Sequence, residues 1–546
     1  MLATFVFIVA MFIAMVLIPP LMKAGARFSF VDIPDARKVH ATPIPRVGGI
    51  AMVAGAVTPI LIWSQQPKEV LAFLGGVGII LVFGVWDDRT SLNYRYKFLG
   101  QALAVAIAVF YGDIVIKYVP FCGLDPIPYA ASVALTFFAL LGITNAINLA
   151  DGLDGLAGGT TFISMAGLAL LAYMAEDRVV LLLTAAVMGA IVGFLRFNTY
   201  PARVFMGDAG SQFLGFSAGV LVILLTQKSN PALSPAMPLL LLGLPILDTF
   251  IVMGQRVYEG RSPFKPDRNH IHHKLLSLGY DHYEAVVLVY AAQAALVTSA
   301  VYFRYYSDLW NVVLYGSFSL ATVLLFNTLK KTGWRAHRGT DPVMPTPLAR
   351  FVGRLRKGGY LARYPLIYLA LFVPLYVAYA TLSIQEIPYD AALVVFVLMC
   401  VAAVGPVVLR NRQEITLLER LVICTAITAA VYYYVTEQAV DIPLISVENA
   451  GFLALVLALM MAYRFSRSRE FRVTPMDFLV LFAVLIVPNL MGKELVSGDI
   501  GEIAAKSALL YYAVELLIVQ VQNRAWQFRM VTFGVLLLFT ARALWE

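Results

Sequence analysis

Residues 129–155 read YAASVALTFFALLGITNAINLADGLDG, and the change of character along this stretch decides the fold. From 129 to 148 the side chains are almost all aliphatic, aromatic or small. At a rise of about 1.5 Å per residue that length crosses the roughly 30 Å of hydrocarbon in a bilayer as a helix. The segment then turns polar through Asn145, Asn148, Asp151 and Asp154. A carboxylate at the edge of lipid is costly enough to be a functional-site hypothesis by default. Asp-Gly pairs are also ordinary turn formers, so this stretch alone supports either reading.

The same pattern recurs along the whole chain. Of 546 residues, 60% are hydrophobic and only 14% are charged, and the mean hydropathy is +0.79. A soluble surface needs more charge than this. The expected fold is therefore an all-α polytopic integral membrane protein. Apolar runs place spans at 1–22, 47–63, 69–86, 98–112, 129–148, 156–175, 179–195, 211–226, 234–254, 284–303 and 308–328. A second group falls at 363–382, 391–409, 416–435, 448–463, 475–491, 502–520 and 529–543. This gives about 11 spans followed by about 7 more. The first run has no basic n-region and no small-residue cleavage site, so it is expected to be a retained span. Cys122, Cys400 and Cys424 lack metal-ligand spacing and are expected to be small buried hydrophobes.

The net charge of +8 does not point to nucleic acid, because Lys and Arg concentrate in loops of one parity. The positive-inside rule then puts those loops in the cytoplasm and the N-terminus outside. The break between the two groups, residues 329–363, carries nine Lys or Arg against one Asp. The expected organisation is a membrane domain over 1–328, a basic cytoplasmic linker over 329–362, which can lie on anionic lipid, and a second membrane domain over 363–546.

The loops on the expected cytoplasmic side hold the polar clusters. In order they are Asp35-Ala36-Arg37-Lys38-Val39-His40, then Trp86-Asp87-Asp88-Arg89 with Lys97, then the Asn145–Gly155 stretch. Asn198 to Ser211 follows, with Phe205 and Asp208, and last the run Asp267-Arg268-Asn269-His270-Ile271-His272-His273. Each cluster has a plain alternative: a solvated acid pair, a turn, a helix cap, or a transition-metal site for the histidines. No Cys or further His stands at a matching spacing, and the surroundings of the histidines are basic, which favours phosphate over zinc. His282 and His337 are expected to be surface residues. Together, acids, basic side chains and glycines at helix mouths suit a phosphate substrate with a hard divalent cation. Mg²⁺ takes one or two carboxylates plus phosphate oxygens and water. Glycines and helix N-termini admit the anion.

These residues resemble the polyprenyl-phosphate N-acetylhexosamine-1-phosphate transferases over roughly residues 1–330. The strings NAINLADGLDGLAGG (145–159), FNTYPARVFMGDAGS (197–211) and DRNHIHHKLLSLG (267–279) carry the likeness. The resemblance implies transfer of a sugar-1-phosphate from a UDP-sugar to undecaprenyl phosphate, with Mg²⁺ or Mn²⁺ as cofactor. It implies release of UMP and the start of a cell-envelope polysaccharide, at the cytoplasmic face of a bacterial inner membrane. By the same likeness Asp208 is the metal ligand, with Asp151 on the metal side. Asp87 and Asp88 orient or deprotonate the lipid phosphate. Asn145, Asn148, Asp151 and Asp154 line the nucleotide side, with Asp154 nearest the uracil. Phe205 stacks on the base, and Asn198 contacts the nucleotide. Arg268, His270, His272 and His273 grip the pyrophosphate, and Lys38, His40 and Lys97 add positive charge. Many members have an acid or amide four positions after the first Asp of the pair, where this chain has Ser91.

The spacing His-Ile-His-His is closer to the N-acetylglucosamine-1-phosphate type, which favours a UDP-N-acetylhexosamine donor. A phospho-N-acetylmuramoyl-pentapeptide transferase is the alternative within the family. A direct in-line attack and a route through an aspartyl-phosphate both fit. A lipid-linked sugar transporter or flippase is the rival from another class. It would place polar residues at span centres in paired repeats, whereas here they lie at span ends. The second block lies outside the resemblance. Its Glu515 and Lys506 share an apolar run, and lipid gathering, homodimer formation or partner docking is its expected role.

Overall fold

The computed structural model describes residues 2–28, 30–32, 43–123, 125–260, 269–336, 360–384, 396, 400, 423, 427–436, 447–465, 475–482, 499–520, 534 and 537–541. It divides into two compact units, one of residues 1–339 with 474–490 and one of 340–473 with 491–546. The described residues are helical except for loops and a two-residue antiparallel ladder, β1 (Val31–Asp32) with β2 (Ile44–Pro45). Nine helices among them are long and apolar enough to cross a bilayer, and the protein is a multi-pass membrane protein.

In the first unit the elements run α1 (Leu2–Arg27), α2 (Gly48–Trp63), α3 (Lys68–Thr90), α4 (Tyr94–Ala106), α5 (Tyr129–Ala150), α6 (Leu156–Met174) and α7 (Arg178–Asn198). They continue with α8 (Gly207–Leu224), α9 (Pro238–Leu241), α10 (Gly243–Tyr258), α11 (Ile271–Ser277), α12 (His282–Tyr302) and α13 (Asp308–Thr332). The second expected span, 47–63, is the 16-residue helix Gly48–Trp63, and two others differ from these helices. The fourth begins at Tyr94 and ends in a π-helical turn, Ile107–Tyr111. The expected span 234–254 is broken at Leu242 into α9 and α10, where Pro238, Gly243 and Pro245 interrupt an otherwise apolar run.

Helix α8 is the hub. Its apolar window is 100% buried, and α2, α3, α5, α6 and α7 all pack on it. Without a hydrophobic driving force in lipid, helices associate through close van der Waals packing, which small residues permit. At the α8 N-terminus this is taken to backbone contact. A Cβ on Gly49 would stand 2.3 Å from Gly210 N, and one on Gly84 would stand 2.4 Å from Ala209 Cα. Helices α2 and α3 can therefore come no closer, and any side chain at either position would push the start of α8 away.

Residues 474–490 group with the first unit: α16 (Pro475–Leu481) packs on α6 and α12, and Phe478 meets Tyr290 with ring centroids 6.0 Å apart. In the second unit, α14 (Tyr360–Ser383), helical residues 427–436, α15 (Val447–Phe465) and α17 (Asp499–Gln520) enclose an aliphatic and aromatic core. Lys506 is buried there and pairs with Glu448 and Glu502. Tyr376 and Tyr434 each donate a 3.0 Å hydrogen bond to Glu448. Lys506, which shares an apolar run with Glu515, thus pairs with Glu448 across two helices and with Glu502 one turn away on its own helix. The cysteine expectation fails where it can be judged. Cys122 and Cys400 are free and exposed, because lipid-facing and loop positions tolerate a small apolar thiol. Cys424 and His337 lie outside the described residues, as does most of the 329–362 linker.

Candidate active site

The polar clusters come together because four helices end or begin at one place. Asp87 and Asp88 sit on the last turn of α3, whose C-cap Ser91 adopts a left-handed φ of 52° and turns the chain back toward α4. That reversal carries Lys97, on the first turn of α4, to the acids. Its Nζ lies 2.6 Å from Asp87 Oδ2 and 3.2 Å from Asp208 Oδ1. Asp87 Oδ1 also accepts the Leu92 N–H at 2.6 Å. Asp88 is buried, and its two oxygens accept the Asp208 and Ala209 N–H groups at 2.8 and 3.1 Å. One ammonium therefore bridges carboxylates 121 residues apart in sequence.

A polar ladder behind the acids fixes the helices that carry them. Gln101 Nε2 donates to Gln212 Oε1 at 3.1 Å, and Asn145 Nδ2 donates to Gln101 Oε1 at 2.8 Å. Ser211 Oγ donates to Asn148 Oδ1 at 2.7 Å. These bonds tie α4, α5 and α8 together within the membrane region, where an unpaired polar group is expensive. Gln212 was not singled out from the sequence; its place one residue after Ser211 in an apolar helix was the available signal.

The loop before α8 is held from two sides. The Phe205 N–H donates to Pro45 O at 2.8 Å, and the N–H groups of Gly48 and Gly49 donate to Phe205 O and Met206 O at 2.9 and 3.0 Å. Asn198 is buried, with Oδ1 accepting from Gly155 N and Nδ2 donating to Val204 O, each at 2.9 Å. Asp154 Oδ2 accepts from Ala202 N at 2.9 Å. Asn198 and Asp154 thus lock the 151–155 turn against the 198–205 loop. Asp151 is exposed at the mouth of the site. The density of protein around it, with the carboxylates of Asp208, Asp154 and Asp88 near it, pushes its carboxyl up to about 7 against a partial pull from Arg46.

The histidine helix α11 packs onto the same turn. A Cβ on Gly152 would stand 2.2 Å from His272 Nε2, so the imidazole lies directly on the backbone next to Asp151. Burial, with the neighbouring His273, holds His272 down to about 3, so the ring is neutral near pH 7. His270 and His272 stack with centroids 5.7 Å apart, and His272 meets His273 at 4.2 Å. Asp248 is a second residue that the sequence reading missed. It is buried in α10, 2.8 Å from His270 Nδ1, and its other oxygen accepts the Ile271 N–H at 2.7 Å. An ionisable group inside an apolar run was the signal that could have found it. The carboxylate fixes Nδ1–H as the donor toward Asp248 and leaves Nε2 for a ligand.

His282 was expected at the surface; it instead stacks on Tyr200 at 4.2 Å, with Nε2 3.4 Å from Asp154 O. A ring cluster against that turn stabilises it better than solvent would. Lys38, His40 and Arg268 lie outside the described residues.

Asp248→Asn is expected to lower kcat about 10- to 100-fold, the scale of a misplaced ligand group. The melting temperature should fall only slightly, because the carboxamide keeps an acceptor for Ile271. Steady-state kinetics beside a thermal melt in detergent checks this.

Among the described residues no three His, Cys, Asp or Glu side chains converge as a ready metal cage. The carboxylates of Asp208 and Asp151 stand near enough to repel each other, and such oxygen donors fit a hard divalent ion that completes its shell with phosphate and water.

Residues 70–226 match the model of the family described as Glycosyl transferase family 4. The chain is 35% identical over 300 residues to a probable undecaprenyl-phosphate N-acetylglucosaminyl 1-phosphate transferase of Bacillus subtilis (strain 168), covering 54% of this chain and 83% of that one. It is 32% identical over 326 residues to the undecaprenyl-phosphate alpha-N-acetylglucosaminyl 1-phosphate transferase of Yersinia pestis, covering 58% and 88%. Over 295 residues it is 35% identical to the decaprenyl-phosphate N-acetylglucosaminephosphotransferase of Mycolicibacterium smegmatis, covering 48% and 73%.

Proposed function

This chain belongs to glycosyl transferase family 4 as a glycosyl-1-phosphate transferase, and from that premise we propose that it moves N-acetylglucosamine-1-phosphate from UDP-N-acetylglucosamine to undecaprenyl phosphate. UMP leaves, and the lipid-linked product starts a cell-envelope polysaccharide at the cytoplasmic face of the bacterial inner membrane. The observation that carries the reading is the meeting of Asp87, Lys97 and Asp208 at the mouth of four helices. The excess of Lys and Arg in loops of one parity supports the orientation.

In this reading an oxygen of the lipid phosphate attacks the β-phosphorus of the donor. The new O–P bond forms as the bond from that phosphorus to the bridging oxygen breaks, and UMP takes the electron pair. A lipid phosphate is ionised near neutral pH, so it needs position and shielding more than a strong base. Lys97 supplies one fixed positive charge between Asp87 and Asp208. His270, held by Asp248, presents Nε2 to the diphosphate. The 151–155 turn and Phe205 form the uridine side. Asp208 and Asp151 would hold a Mg²⁺ or Mn²⁺ ion, which would supply Lewis-acid charge neutralisation at the diphosphate when bound.

The test is incubation of the purified full chain with undecaprenyl phosphate, Mg²⁺ and radiolabelled UDP-sugars one at a time. Labelled lipid and UMP from UDP-N-acetylglucosamine are the expected products. Label only from UDP-N-acetylmuramoyl-pentapeptide would move the donor to the pentapeptide type, and no labelled lipid from any donor would overturn the reading.

A further inference from the structure

We propose that Asp88 is a positioning residue that caps helix α8 from a different helix, and thereby sets where Asp208 stands. The inference deepens the site reading above and rests on it. A helix leaves its first N–H groups without intrahelical partners, and an N-cap Ser, Thr, Asp or Asn ordinarily accepts from the second or third of them. The N-cap of α8 is Met206, whose side chain makes no capping hydrogen bond. Asp208 and Ala209 are the second and third residues of the helix, and their N–H groups donate to the two oxygens of Asp88. A carboxylate 120 positions away along the chain therefore does what a residue at position 206 does elsewhere.

The surroundings are shaped for that contact. Gly207 has a φ of +67°, and a Cβ there would stand 2.4 Å from Asp88 Oδ2. Glycine serves both the left-handed backbone and the approach of the carboxylate. Gly84, one turn before Asp88, brings α3 against the Ala209 backbone. Asp88 is 8% exposed and spends both oxygens on the helix start, whereas Asp87 points to Lys97. The two neighbouring acids thus have separate tasks: Asp87 belongs to the charged centre, and Asp88 holds the helix on which Asp208 rides.

Asp88→Asn in the full chain tests this, since a carboxamide offers one acceptor to two N–H donors. Without metal, its melting temperature is expected to fall, and Mn²⁺ binding followed by electron paramagnetic resonance should weaken about five- to tenfold, the scale of a lost cap. The midpoint of the acid limb of the pH–rate profile should stay in place. Unchanged melting and Mn²⁺ affinity in Asp88→Asn, or loss of the acid limb, would overturn the proposal. If the variant does not accumulate, amide hydrogen exchange in the native full chain decides: slow exchange at the Asp208 and Ala209 N–H groups supports the cap, and rapid exchange at both overturns it. A native protein that binds no Mn²⁺ would overturn the cation reading instead, and the metal-free melts would still judge the cap.

Discussion

Asp208→Asn is expected to lower turnover about a thousandfold, the scale seen when a pre-placed electrostatic partner is removed, while the protein accumulates and melts as before. The fold should survive because Asp208 is anchored through its backbone N–H, which donates to Asp88 whatever the side chain is. The substitution also relieves crowding, since Asp87 and Asp208 now share the Lys97 ammonium. The activity should not survive, because an amide oxygen is a poor ligand for a hard divalent cation beside a diphosphate. Turnover against Mg²⁺ concentration, with a melting curve for each sample, checks both halves. Native-like activity would remove Asp208 from the cation site.

Lys97→Met is expected to damage both stability and activity. Methionine keeps the length of the side chain and loses its charge, leaving Asp87, 3% exposed, with no cation. Breaking a fully buried pair costs about 3–5 kcal/mol. The Lys97 side chain is 28% exposed, so water screens part of the loss and about 2 kcal/mol is expected. Turnover should drop about a hundredfold, because a fixed positive charge has left the phosphate-binding centre. The double variant Lys97→Met with Asp87→Asn separates the effects. It should regain most of the melting temperature, because the orphaned charge is gone, and none of the turnover. If activity returned with stability, Lys97 would be a scaffold residue only.

Much of the membrane unit was legible in the sequence because lipid imposes a one-dimensional rule: a helix must be apolar over a fixed length. The runs at 129–148, 156–175 and 179–195 correspond to α5, α6 and α7 within a few residues. The rule fails where the interruption is conformational rather than polar. The 234–254 run stays apolar through Leu242, so hydropathy could not show the break between α9 and α10. It fails again at α8, which reads like a lipid-facing span and is wholly enclosed by other helices. Membrane cores and protein cores are equally apolar, so composition does not distinguish them.

The candidate site divides along the same line. Asp87, Asp208 and the histidine run could be singled out because charged groups at the ends of apolar segments are expensive and stand out. Asp248 could not be tied to His270 from the chain, because their contact spans 22 residues and a break in helical direction. Asn198 and Asp154 read as ligand contacts; in the fold Asn198 gives both its side-chain oxygen and nitrogen to neighbouring backbone, and Asp154 gives Oδ2 to Ala202 N–H.

What the sequence determined by itself was the solvent of each segment and the chemical kind of the site, since both follow from transfer free energies of individual side chains. Only the tertiary structure decided which acid faces Lys97, which one caps α8 and which carboxylate steadies His270. Those are matters of a few ångströms between atoms 10 to 120 residues apart in the chain. No local pattern encodes such distances; they are set when glycine-lined helices close to backbone contact around α8.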